Sequence, residues 1–204
     1  MEKQTQILKK ALYSKVNLIQ DLEIQKFVKE VLDNAPEGFW LTPCSGTGKY
    51  HPPENQGEGG LIRHLLKCIE TGLDLCRYFN LSQQDTEVVL AGIFLHDIKK
   101  NGEPWGQSTD MEHGIIGAKF LDKFELREPE KTEIKNCVRY HLGRFTRTFE
   151  DVSRASNPTQ KELIVQMTDL FCSRMYASWL PGVNVPEEEI KKFPKFFQSD
   201  LNNF

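Results

Sequence analysis

Five histidines are spread through the 204 residues: His51, His64, His96, His113 and His141. The last four fall in four separate stretches of helical periodicity, each on or beside the apolar stripe of its stretch. His64 sits between Leu61, Leu65 and Cys68, and His96 follows Val89, Gly92 and Ile93 at helical offsets. His113 heads a stripe continued by Ile116, Gly117, Phe120, Leu121 and Phe124, and His141 shares a face with Ile134, Cys137 and Val138. Two carboxylates behave alike: Asp97 is embedded in LHDI, and Asp169 lies between LIVQMT and LFC. A buried carboxylate is costly unless it is paired, hydrogen-bonded or bound to a metal. Any one of these residues alone is explained by a hydrogen bond in the core, Asp169 as an acceptor between helices. Their coincidence on several helices points instead to a shared cation with imidazole and carboxylate ligands. His96 and Asp97 are neighbours, and neighbours diverge by about 100° on a helix. Both reach one site only near a helix end, and KKNG follows at once.

The elements that must position these groups read as helices throughout. Residues 17–34 place Leu18, Leu22, Phe27, Val28, Val31 and Leu32 on one broad side. A Gly- and Pro-rich loop is expected from 35 to 59, then a helix over about 61–79. Ser82 with Asp85 reads as a capping box for a helix through VVLAGIFLHDI, apolar nearly all round and therefore central. Further helices are expected over about 111–125 and from Pro129, in its first turn, to near Leu142. An Arg-bearing loop spans 143–158, and Thr159 with Glu162 caps the next helix. Three glutamates after Pro186 suit another helix start. No alternating strand pattern and no internal repeat occurs. The fold class expected is all-α: one helical bundle, core about 48–176, with helices of 1–35 and a tail of 180–204 packed on it.

The glycine-rich run SGTGKYHPPENQGEGG, residues 45–60, is no nucleotide P-loop. That motif needs a glycine where Pro43 stands, a Ser or Thr where Tyr50 stands, and a preceding strand. Gly59 and Gly60 instead permit a loop to pass close over whatever the next helix carries. A formal net charge of −3 provides no global field for a long polyanion, so extended nucleic-acid binding is not expected. No segment approaches the roughly 20 continuous apolar residues of a membrane span. The first residues lack the apolar region of a signal peptide, and the five cysteines form no C-x-x-C pair. A reduced, cytoplasmic protein is expected.

The ordered set His64, His96-Asp97, His113, His141, Asp169 resembles the HD-domain superfamily of metal-dependent phosphohydrolases. GGLIRHLLK resembles its first-histidine helix, LAGIFLHDIKK its HD helix and MEHGIIGAKFL its third-histidine helix, and VRYHLGRF and VQMTDLFCSR follow in order. The likeness covers roughly 48–176. It implies one metal among His64, His96, Asp97 and Asp169, with Asp97 bridging to a second held by His113 and His141. One departure is visible: where the family has glycine in HD-x-G-K, this chain has Lys99, with Lys100 in the lysine position.

The resemblance also implies an activity. A pair of divalent ions (Mn, Fe, Co, Ni or Mg, which His/Asp ligands do not distinguish) would generate a nucleophile from water and polarise a phosphoryl oxygen. Asp97, Lys100 and His51 are the candidate catalytic groups, His51 from the loop before the first ligand helix. Lys99, Arg63, Arg144 and Arg147 are candidate phosphate contacts. The substrate expected is a phosphate ester or anhydride of a nucleotide or short oligonucleotide. Two other readings share the ligand pattern: a di-iron oxygenase acting on a phosphonate or polyol, and a nucleotide-sensing module without turnover.

Overall fold

The computed structural model describes residues 3–45, 52, 55–145 and 154–173, with the backbone alone at Lys3 and Arg144. Among them all regular structure is helical. In chain order the helices are α1 (Lys3–Val16), α2 (Leu22–Asp33), α3 (Glu37–Leu41), α4 (Gly60–Tyr78), α5 (Gln83–Leu95), α6 (His113–Leu121), α7 (Glu130–Tyr140) and α8 (Gln160–Cys172). The expected tail of 180–204, with the helix after Pro186, lies outside the described residues.

Helix α5 is the axis of the bundle. Every residue from Glu87 to Leu95 is buried, as the all-round apolar pattern requires. Helices α2, α4, α7 and α8 pack against it, α6 packs on α7, and α1 packs on α4. One hydrophobic cluster runs through all of them, from Leu12 and Val16 through Phe94 and Leu95 to Ile164 and Val165. None of the helices is long and apolar enough to cross a membrane.

The caps account for several boundaries. Thr159 and Glu162 form the expected capping box on α8. Ser82 does cap α5 through the Asp85 N–H, but its hydroxyl donates to the Asp85 carboxylate, which also takes Lys161. Asp21 caps α2, accepting from the N–H groups of Glu23 and Ile24. That cap corrects the expected 17–34 helix: the chain turns before Asp21, and Leu18 and Leu22, assigned to the apolar side, are 39% and 76% exposed. Helix α3, inside the expected loop, buries Phe39 and Trp40. The expected 111–125 helix is shorter, because His113 opens it and it ends at Leu121. Pro129 stands at the N-cap of α7 rather than within its first turn.

Candidate metal centre

Four histidines and two aspartates from five elements meet in the middle of the bundle. His64 comes from the second turn of α4, His113 from the first position of α6 and Asp169 from α8. His141 is the C-cap of α7, and His96 is the C-cap of α5. Because α5 ends at Leu95, His96 and Asp97 lie in the turn that follows, where adjacent side chains can converge. All four imidazoles and Asp97 are 0–2% exposed. They form two triads: His64, His96 and Asp169 in one, Asp97, His113 and His141 in the other.

The helix ends that supply the histidines also orient them. Carbonyls in the last turn of a helix have no partner in the ladder. His96 Nδ1 donates to Ile93 O at 2.8 Å and His141 Nδ1 to Val138 O at 2.7 Å. His113 Nδ1 donates to Asp110 O, in the turn before α6. A proton at Nδ1 leaves a lone pair at Nε2, the arrangement in which a second partner fixes a ligating histidine.

The lone pairs then face one another. His113 Nε2 and His141 Nε2 are 3.0 Å apart, and His113 Nε2 is 3.0 Å from Asp97 Oδ1. Asp97 Oδ1 and His96 Nε2 make no hydrogen bond of acceptable geometry although both are buried. Acceptors this close repel unless something positive lies between them. Two ligands about 2.1 Å from one ion and at right angles would stand about 3.0 Å apart. In the other triad His64 Nε2 lies 3.1 Å, and His96 Nε2 3.7 Å, from Asp169 Oδ1. His96 Nε2 is also 3.5 Å from Asp97 Oδ2, so the His96-Asp97 step joins the two halves. The donor set fits a pair of divalent cations.

Charge in the centre follows from burial and proximity. Burial pushes the Asp97 carboxyl up, but Lys100, His96 and His113 outweigh it and hold Asp97 well below the usual carboxylate range. Asp169 is likewise raised by burial and lowered further by His64 and His96. Burial lowers His64, and burial with the neighbouring His113 and His96 lowers His141 to about 3. His96 is also disfavoured by burial, yet Asp97 and Asp169 leave it raised.

The candidate phosphate contacts separate. Lys100 is buried and its Nζ lies 2.5 Å from Asp97 Oδ2, inside the centre. Lys99 is also buried but turns to the flank, 3.0 Å from Glu103 and 4.2 Å from the Phe120 ring centre. Lys99, a candidate phosphate contact, is thus engaged by Glu103 and Phe120. Arg63 donates to the carbonyls of Glu58 and Gln56 and braces the loop before α4. Gly59 and Gly60 allow tight backbone packing at the start of α4, while residues 46–51, 53 and 54 of that loop lie outside the described residues. Gly59 has φ +70°, and a Cβ on Gly60 would stand 2.0 Å from Asn55 O. His51, Arg147 and the Arg144 side chain lie outside the described residues. Sequence reading missed Asp110, whose carbonyl orients His113; its signature is an Asp just before a helix, which here also caps Glu112 N–H.

An all-α bundle enclosing two His/Asp triads, buried except for the partly exposed Asp169 and joined by an HD step, has the architecture of a metal-dependent hydrolase. The family model "HD domain" matches residues 61–173, more than half of the chain, and the chain belongs to that family. Comparisons with curated proteins and with solved structures give no significant match.

Proposed function

We infer that this protein is a phosphohydrolase that cleaves a phosphate ester or anhydride of a nucleotide or short oligonucleotide. The observation carrying this is the convergence of buried ring nitrogens and a carboxylate beside a buried lysine: His113 and His141 Nε2 3.0 Å apart, with Asp97 holding Lys100 at 2.5 Å. Divalent ions held by the triads would lower the pKa of a water and polarise a phosphoryl oxygen.

The chain's own groups do the rest. Asp97 spans the two triads, so one carboxylate fixes their relative position. Lys100 is disfavoured by burial but raised overall by Asp97, so it stays charged across the physiological range and can meet a phosphate oxygen. With the four imidazoles serving as neutral ligands, Asp97 and Asp169 against Lys100 would sum to one net negative charge. Two divalent ions turn that into three net positive charges, a field suited to a phosphoryl dianion together with an anionic nucleophile. The dry walls of α4 and α5 strengthen every such interaction relative to water.

The test is a panel of nucleoside mono-, di- and triphosphates and short oligonucleotides with Mn²⁺, Fe²⁺, Co²⁺ or Mg²⁺, run without oxygen. Release of phosphate or a shortened nucleotide is the expected result. Oxygen consumption with a phosphonate or polyol, and no anaerobic release from any nucleotide, would overturn it in favour of an oxygenase.

A further inference from the structure

Two ligands of the second triad, Asp97 and His113, are joined by more than the ion they would share. The chain leaves the HD step at Lys100, makes an excursion over residues 101–109 and returns beside its starting point. The Lys100 N–H donates to Asp97 O at 3.0 Å, and the Asp110 N–H donates to Lys100 O at 2.8 Å. Asp110 O in turn accepts from His113 Nδ1. His113 Nε2 lies 3.0 Å from Asp97 Oδ1, so these contacts close a ring that begins and ends on Asp97. Asp110 gives its N–H to one link and its carbonyl to the next, and its backbone orientation sets both.

The side chain of Asp110 holds that orientation. Its Oδ1 accepts from the Glu112 N–H at 2.8 Å, two residues on, which is an Asx turn. The His113 N–H also donates to Asp110 O, at 3.2 Å, so the backbone and the ring of His113 share one carbonyl. His96 and His141 find their carbonyls in the last turns of their own helices. His113 opens its helix and has no earlier turn to use, so the turn at Asp110 stands in for one. The excursion itself is braced. Asn101 and Gly106 exchange two hydrogen bonds, at 2.7 and 3.0 Å, and a Cβ on Gly38 of α3 would overlap the Trp105 indole. Asp110 Oδ2 rests against Gly102, where φ is +83° and a Cβ would stand 2.8 Å from it.

We propose that the Asp110 carboxylate is a positioning group for the second triad. By locking the turn before α6, it holds the carbonyl that orients His113 at a fixed place relative to Asp97. It acts on the ion that Asp97, His113 and His141 would hold, whereas His64 and Asp169 reach the other ion from α4 and α8, outside this ring. The inference rests on the metal-centre reading. Partners that orient a ligand typically change metal affinity about 10- to 100-fold when they are lost. Removing the carboxylate leaves the carbonyl in place but unlocked, so the lower end of that range is expected.

The experiment is a Mn²⁺ titration of metal-free protein, read by the electron paramagnetic resonance signal of free Mn²⁺. Wild type is compared with Asp110→Asn, which keeps the Oδ1 acceptor, and Asp110→Ala, which removes it. Wild type should bind two ions. Asp110→Ala should bind one of them about 10-fold more weakly and the other unchanged, with Asp110→Asn within a few-fold of wild type. In a His113→Ala background, which removes the second site, adding Asp110→Ala should leave the affinity of the remaining ion unchanged. A role in fold stability alone predicts a lower urea midpoint with both ions affected alike. Where Asp110→Ala fails to fold, Gly102→Ala, which drives a Cβ against the carboxylate, should weaken the same ion. Equal binding of both ions by wild type and Asp110→Ala, equal weakening of both, or Asp110→Asn as weak as Asp110→Ala would overturn the proposal alone. Fewer than two ions bound by wild type would overturn the two-ion centre and this proposal with it.

Discussion

Asp97 meets His113, His96 and Lys100 at 3.0, 3.5 and 2.5 Å, and every one of these groups is buried. Its removal therefore has two separable consequences. Asp97→Ala takes a ligand atom from the second triad, and turnover should fall below detection. It also leaves the Lys100 ammonium buried without its nearest anion, and breaking such a pair costs about 3–5 kcal/mol. Replacing the lysine as well, in Asp97→Ala/Lys100→Met, should recover much of that stability in urea unfolding while turnover stays absent. Turnover in either variant would show that Asp97 is not part of the reacting centre. A second consequence belongs to the histidines. His64 and His141 are held below their ordinary value, His141 at about 3, so the unfolded chain binds protons there that the folded chain refuses. Stability of the metal-free protein is then full above about pH 6.5 and falls as pH drops toward 4, by about 1.4 kcal/mol per pH unit for each proton taken up. Asp97 and Asp169, both depressed, act in the same sense, their contribution being lost below about pH 4. His96 is raised and acts oppositely, weakening the fold as pH rises through its folded value. Urea midpoints at pH 4.5, 5.5 and 6.5 should rise in that order, and a flat or inverted series would contradict buried neutral histidines.

Helix α5 brings its neighbours close enough for the triads to meet, and Gly92 is where it does so. A Cβ there would stand 2.7 Å from Cys137 Cβ on α7 and 3.4 Å from Val165 Cγ2 on α8. Those helices carry His141 and Asp169, and a Cβ atom cannot swing aside as a side-chain tip can. Overpacking of this kind costs about 1–3 kcal/mol, against about 1 kcal/mol gained from replacing glycine by alanine in a helix. Gly92→Ala should therefore destabilise the fold and weaken metal binding together. Gly72→Ala meets only the Cδ1 tip of Ile93, at 2.2 Å, which can change rotamer, and it should be close to neutral in the same urea unfolding and metal titration. The same contrast between what neighbours permit and what a chain segment prefers explains what could be read from the sequence. Helices α4, α5, α7 and α8 declare themselves by period and caps, and the inward His and Asp residues follow from that period. The five-residue α3 is too short for a period, and its buried Phe39 and Trp40 stand inside a Gly/Pro-rich segment. Lysines are ordinarily solvated, so the burial of Lys99 and Lys100 could not be read locally. It depends on Glu103 and Phe120 for one and Asp97 for the other. The separation of their roles is a tertiary property.

At the scale of the whole molecule, residues before the stretch matched by the HD family are part of the same interior. Leu12, Val16, Ile19, Ile24, Phe27, Val28, Val31 and Leu32 are each 0–1% exposed and belong to the cluster that contains Phe94, Leu95 and Val165. Full burial of such side chains contributes about 1.5–3 kcal/mol each, and even with a generous reduction for a compact unfolded state their sum reaches the whole stability of a typical domain, about 5–15 kcal/mol. Polar contacts reinforce the connection. Glu87, buried on α5, accepts from the N–H groups of Gln20 and Asp21 at 3.1 and 3.0 Å, and Arg127 reaches from the start of α7 to Asp21 and Glu23. A chain beginning at Glu37 would expose the apolar face of α4 and α5 and strand the Glu87 carboxylate with only Gln83 beside it. Such a chain should show no cooperative unfolding transition, should bind a hydrophobic dye at neutral pH, and should fail to retain divalent ions through gel filtration. A sharp urea transition with bound ions in that variant would mean that α1 and α2 are an accessory layer. The expected outcome places them instead among the elements that hold α5, and so His96 and Asp97, in register with α4 and α8.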